Sequence, residues 1–182
     1  MQRLLLIGCI VVMLAAGLRA EIIDRLAITV RQQAITELQL DEELRVTAFL
    51  NHQTIVRDLA ARRAAANRLI EQLLVAREME LSHYPLPPAQ DVNDYFEQIR
   101  NGFDSPAVFD QALRADDLTE STLRDHLALQ LTTLRFIEYR FRPDVATSDS
   151  ALIEQQIDKA LDRWLDENRK QANIVYLDKS LQ

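Results

Sequence analysis

The chain has 182 residues, with 21 basic and 28 acidic side chains, a net charge of −7, 48% hydrophobic and 6% aromatic content. That length holds one domain with a proper core, and the acidic balance argues against nucleic acid, whose phosphates attract a basic surface. With one cysteine and three glycines in the whole chain, neither a disulfide framework nor a sheet fold rich in tight turns is expected.

Arg3 precedes an apolar run from Leu4 to Leu18. At about 15 residues it suits the core of a secretion signal and falls short of the ~20 that span a bilayer. Leu18-Arg19-Ala20 places a small residue at a cleavage position, and acidic residues begin only at Glu21. Residues 1–20 are therefore expected to be a cleavable signal peptide, with a retained membrane anchor as the alternative. Leu6-Ile7-Gly8-Cys9 spells a lipoprotein box, but too few apolar residues precede Cys9, and it reads as part of the signal core. Residues 21–182 are then a single exported domain, more acidic than the whole chain and free of cysteine, with no membrane contact after cleavage.

Leu26 to Val30 reads as a short strand that turns through Arg31-Gln32-Gln33 into Ala34-Ile35-Thr36. Thr36 and Gln39 form a capping box, which starts a first helix running to about Leu50. Thr54 is the expected N-cap of a long second helix reaching Ser82, about 43 Å at 1.5 Å per residue. Its stripe is Ile55, Leu59, Ala66, Leu69, Ile70, Leu73 and Leu74, and Asp58 and Arg62 are spaced to pair on its wet side. Pro85-Leu86-Pro87-Pro88 ends that helix and opens a third, whose stripe of Val92, Tyr95, Phe96 and Ile99 stops at Asn101-Gly102.

Ser105-Pro106, a cap followed by proline in the first helical position, opens a short fourth helix. Thr119 caps a fifth, with Leu123, Leu127, Leu131, Leu134, Ile137 and Phe141 on one seam and Pro143 at its end. Ser148 opens a sixth with Ile153, Ile157, Leu161, Trp164 and Leu165. Asn173 to Leu177 alternates like a strand and finds its only partners in the N-terminal hairpin. The expected fold is therefore mainly α: about six helices, with a small sheet pairing the hairpin to the C-terminal strand. Residues 21–143 supply the first part, and 148–182 return to complete it.

No constellation for catalysis is present. His52, His83 and His126 fall on different elements, and no His-Glu-x-x-His helix, calcium loop or cysteine cluster occurs, so no metal or cofactor is expected. Outside the leader, Gly102 is the one glycine, which rules out a phosphate-cradling loop and a nucleophile elbow. Asp41-Glu42-Glu43 and Asp116-Asp117 read as a first-turn complement to the helix dipole and a solvated loop rather than catalytic carboxylates. Arg135, Arg140 and Arg142 alternate with Phe136, Tyr139 and Phe141, and read as helix-end cations with core-facing rings, not as a nucleic-acid stack. Arg62-Arg63 reads as an exposed face with acidic neighbours. The protein is expected not to be an enzyme.

Glu21-Ile22-Ile23-Asp24-Arg25-Leu26-Ala27-Ile28-Thr29-Val30 directly follows the leader, and Ala34-Ile35-Thr36 opens a helix with Leu38. Together they resemble the N-terminal domain of the SurA family of periplasmic chaperones. Arg140-Phe141-Arg142-Pro143-Asp144-Val145, running into Ser148-Asp149, resembles the stretch where that domain hands over to a prolyl-isomerase domain. Trp164 through Ile174-Val175-Tyr176-Leu177 looks like the segment that returns to complete the family's core. Two features depart from the family. The first hairpin turns on Arg31-Gln32-Gln33 instead of an Asn or Asp turn, and no parvulin domain fits between Pro143 and Ser148.

The resemblance implies an ATP-independent periplasmic holdase for unfolded outer-membrane or secreted polypeptides, without isomerase activity. Tyr95, Phe96, Phe103 and Phe109, on short proline-bounded helices, are the candidate peptide-binding residues. Tyr95 and Phe96 have a competing reading as core stripe, and Phe103, beside Gly102, is the ring expected to be exposed. The rival reading is a helical scaffold or assembly subunit for one dedicated envelope partner. A core closed by its last helix and strand also leaves open a homodimer that swaps this segment.

Overall fold

The computed structural model describes residues 24–143 and 149–182, so the expected leader and the Ser148 cap lie outside the described residues. Strand β1 (Leu26–Val30) and strand β2 (Gln33–Thr36) form a hairpin in which Val30 faces Gln33, Thr29 faces Ala34 and Ile28 faces Ile35. The turn is the pair Arg31-Gln32, one residue shorter than expected, because Gln33 already belongs to the ladder. A two-residue hairpin needs a left-handed residue, and Arg31 supplies it at φ 57°. Its N–H donates to the Ala172 carbonyl at 2.9 Å, which fastens the turn to the far end of the chain. Strand β3 (Ile174–Tyr176) pairs antiparallel with β1, giving the order β2-β1-β3. The two ends of the domain meet in one sheet, as the alternation of Asn173 to Leu177 suggests.

Helix α1 (Glu37–Leu50) starts from the full capping box: Gln39 N–H donates to Thr36 Oγ1 at 3.2 Å and Thr36 N–H to Gln39 Oε1 at 2.9 Å. Helix α2 (Leu59–Leu81) starts later than expected, at Asp58, whose carboxylate accepts from Ala61 N–H at 2.8 Å. Thr54 does not cap, since residues 53–57 form no helix, and Arg57 Nε is held 2.6 Å from Asp41 Oδ1 across the link. The helix is 23 residues long, about 35 Å. Ile55 falls before it and Leu59 is exposed. Asp58 is spent on the cap, so Arg62 turns instead to Glu37 at 2.9 Å and Asp178 at 3.2 Å.

Helices α3 (Ala89–Arg100) and α4 (Pro106–Ala115) follow the proline signals, with Ser105 Oγ accepting from Val108 N–H. Helix α5 (Glu120–Phe141) is capped by Thr119, and α6 (Ser150–Gln171) by Asp149, whose carboxylate accepts from Leu152 N–H at 3.2 Å. A 3-10 turn, Lys179–Leu181, seats Leu181 in the core. The chain ends α1, α2 and α4 without glycine: His52, His83 and Asp117 each sit at φ 52°, with the next N–H reaching back to Ala48, Met79 and Leu113. This is the Schellman arrangement, and it gives two of the three histidines a backbone role.

The buried side chains form two cores. One joins the sheet, the first half of α1, α2, Phe136 of α5, Leu165 of α6 and Leu181. The other is aromatic and draws on no strand: Val46 and Phe49 of α1, Phe96 of α3, Phe109 and Leu113 of α4, Leu118 of the link, and Leu123 and Leu127 of α5. Helix α5 therefore serves both, one at each end, and its buried stripe is Leu123, Leu127, Thr132 and Phe136. Leu134, expected on the seam, is 54% exposed, and Tyr139 is 71% exposed rather than core-facing. The helix turns its apolar stripe between the cores, so a single straight seam does not describe it. No helix among the described residues is long and apolar enough to cross a membrane.

Candidate functional site

Three of the four candidate rings pack on one another: Phe96 and Phe109 as core, with Phe103 against them. Phe96 and Phe109 are fully buried, with their centroids 5.6 Å apart, edge to face. The Arg124 guanidinium stands 3.6 Å from the Phe96 centroid. Phe103, expected to be exposed, is half-buried: it stacks on Phe49 at 5.6 Å and meets Phe109 at 5.3 Å. Helix α3 ends at Arg100, two residues before Gly102, and the following loop folds Phe103 back onto the cluster. Tyr95 alone keeps a rim position, beside His52 and Gln98 over a shallow hollow of about 250 Å³. Phe96 and Phe109 therefore offer no ring to a client.

The larger concavities lie elsewhere, where α1, α2 and α5 splay between the two cores. One, of about 400 Å³, is bounded by Ile35, Leu69, Leu73 and Leu129 with Glu42, Glu43 and Asp125. A second, of about 430 Å³, continues past Thr47, Asn51, Gln130, Thr133 and Leu134. The two share Glu43, Gln72, His126 and Leu129 and so form one groove. From Thr122 to Leu134 the α5 wall is about 18 Å long at 1.5 Å per residue, room for about five residues of an extended chain at ~3.3 Å each.

Glu43 is the polar floor. Only 5% exposed, it accepts from Arg68 Nε at 2.6 Å and Thr47 Oγ1 at 3.3 Å through Oε1. His126 Nδ1 stands 4.0 Å from its Oε2. Burial holds the His126 imidazole below its ordinary value, against the pull of Glu43 and Glu42, so the ring favours its neutral form. The acidic run is thus neither a first-turn feature nor one unit: Asp41 pairs outward with Arg57 and Arg45, Glu43 turns inward, and Glu42 faces the groove. The Arg57 hydrogen bond holds the Asp41 carboxyl below the usual range. Asp117, in the loop read as solvated, is 95% exposed and also pairs with Arg45 at 2.8 Å.

Gln130 Oε1 and Thr133 Oγ1, on the α5 wall of the second cavity, are buried atoms with no hydrogen-bond partner among the described residues. Periodicity points to apolar positions, so it passed over this wall of carboxamides and hydroxyls. The available signal was the interruption of the α5 seam by Gln130, Thr132 and Thr133. Arg135, Arg140 and Arg142 each face a carboxylate, on Asp91, Glu78 and Glu138. Among the described residues, no group of three or more histidine, cysteine or acidic side chains could hold a metal. No family model matches this sequence, and no curated protein matches it.

Proposed function

We propose that the protein is an ATP-independent periplasmic holdase that takes extended segments of unfolded outer-membrane or secreted polypeptides into the groove between α1, α2 and α5. The carrying observation is the mixture of groups along that groove. Leu50, Leu69, Leu73, Leu129 and Leu134 offer apolar surface, while Gln39, Gln72, Gln130 and Asn51 offer carboxamides. A carboxamide both donates and accepts, as a peptide unit does, so it can pair with any backbone whatever the side chains. The buried, unpartnered oxygens of Gln130 and Thr133 become acceptors for a backbone N–H once their side chains turn toward the groove. Contacts of this kind tolerate many sequences and bind weakly, which suits release without a nucleotide.

Placement in the periplasm rests on the signal-like first twenty residues and on the resemblance of both ends of the domain to the SurA family. Both belong to this reading. The test is suppression of aggregation when an unfolded β-barrel protein is diluted into the purified protein. Light scattering should fall at about equimolar ratio. Scattering unchanged at a several-fold molar excess would sink the proposal.

A further inference from the structure

The inner half of the groove is chemically lopsided. Among the residues that bound its cavity of about 400 Å³ are three carboxylates and not one lysine or arginine. Glu43 is the telling member. Its Oε1 accepts from Arg68 and Thr47, but its Oε2 accepts no hydrogen bond from any described residue, although the side chain is only 5% exposed. That oxygen keeps contact with the cavity space, where an entering donor can reach it. His126, held toward its neutral form, stands 4.0 Å away, outside hydrogen-bonding distance. Glu42 and Asp125 make no ion pair among the described residues, whereas nearby Asp41, Glu37 and Glu71 are paired to Arg57, Arg62 and Arg169.

The remaining walls suit a long side chain attached to extended backbone. Leu69, Leu73, Ala76 and Leu129 form an apolar passage to those carboxylates. Ala34 flanks the cavity on β2, an edge strand of the sheet. In a hairpin with a two-residue turn, Val30 and Gln33 exchange the hydrogen bonds. Ala34, one position on, therefore directs its N–H and C=O away from β1, along the free edge.

We infer that this half of the groove is a subsite for one cationic side chain, a lysine or arginine of the bound segment. Its aliphatic stem lies along Leu69, Leu73 and Leu129, and its charged head reaches Glu43 Oε2, Glu42 and Asp125. The backbone of the same residue pairs with Ala34 on the free edge of β2. The inference rests on the peptide-binding reading and adds a preference to it: among unfolded segments of equal apolar content, those carrying a basic residue are held longer.

Fluorescence anisotropy with two labelled nine-residue peptides, identical except for a central lysine or methionine, tests this on the purified protein and on an E42Q/D125N variant. Both substituted positions are outside the cores, so the fold is expected to survive, and circular dichroism checks it. The lysine peptide should bind the unsubstituted protein about tenfold more tightly, as a charge-assisted hydrogen bond implies. The ratio should shrink in added salt and fall severalfold in the variant, which keeps Glu43 alone of the three carboxylates. Equal binding of the two peptides by the unsubstituted protein overturns the subsite but leaves the groove intact. A lysine preference undiminished in E42Q/D125N also overturns it. Failure of both peptides to bind removes the groove reading together with the subsite.

Discussion

The sheet-bearing core and the aromatic core recruit their side chains differently. The first gathers residues from Ala27 to Leu181 and closes only when β3 and the 3-10 turn return to β1 and α2. Small residues, Ala27, Ala65, Ala66 and Ala172, let backbones approach there. The second draws on Val46 to Leu127 alone and fills its centre with rings. One is held by long-range closure, the other by large side chains on neighbouring helices. Closure costs loop entropy before it is rewarded, while the helical lobe relies on contacts closer in sequence. The groove lies where the two lobes part, which explains its unpaired polar wall: neither core extends across it.

The largest effect should come from Phe109→Ala, which removes the ring touching Phe49, Phe96 and Phe103. A loss of about 3–5 kcal/mol is expected from denaturant unfolding. Native-state hydrogen exchange should show protection lost first in α3 and α4 while β1 keeps its own. Uniform loss across both lobes would erase the distinction between the cores.

Ile28→Ala, in the central strand, should cost about 2–4 kcal/mol and loosen both ends of the chain together, since Ile28 faces Ile35 on one side and Tyr176 on the other. Exchange confined to the hairpin would count against long-range closure.

Arg68→Ala strands the buried Glu43 carboxylate at the junction of the lobes. Breaking a fully buried pair costs roughly 3–5 kcal/mol. Arg68 is 39% exposed, so solvent screening reduces the expectation to about 2 kcal/mol, read from the urea midpoint.

The smallest effect is pH-dependent and belongs to His126. Its folded value lies below the ordinary one through burial, so as pH falls past about 6.5 the unfolded state takes up the proton first. Stability should be full above that value and decline below it until the folded imidazole also titrates. His126→Gln should flatten this limb. The acid loss from Asp41 and Asp178, whose carboxyls are held low by Arg57 and by Ser180 hydrogen bonds respectively, should remain at lower pH.

Much of the framework was legible from residue order. The Thr36–Gln39 box, Ser105-Pro106, Thr119, the proline run and the alternation of Asn173 to Leu177 specify backbone over a few residues, and local chemistry suffices to read them. At the start of α2 local chemistry points to the wrong residue. Thr54 is the expected cap, whereas Asp58 holds that position, and the Arg57–Asp41 pair beside it joins residues far apart in the chain. The candidate site was the least legible part. Phe96, Phe103 and Phe109 were recognisable as important rings, but not as rings facing one another.

By itself, then, the sequence determined the mainly α composition, most of the places where helices begin and end, and the meeting of the two ends in a small sheet, because capping, turn chemistry and periodicity act within a few residues. Only the tertiary structure decided that the apolar residues divide into two cores, that α5 spans both, and that Glu43 turns inward while Asp41 and Glu42 do not. Those outcomes depend on how helices rotate against one another. That rotation is set by packing between residues far apart in the chain, which no local pattern encodes.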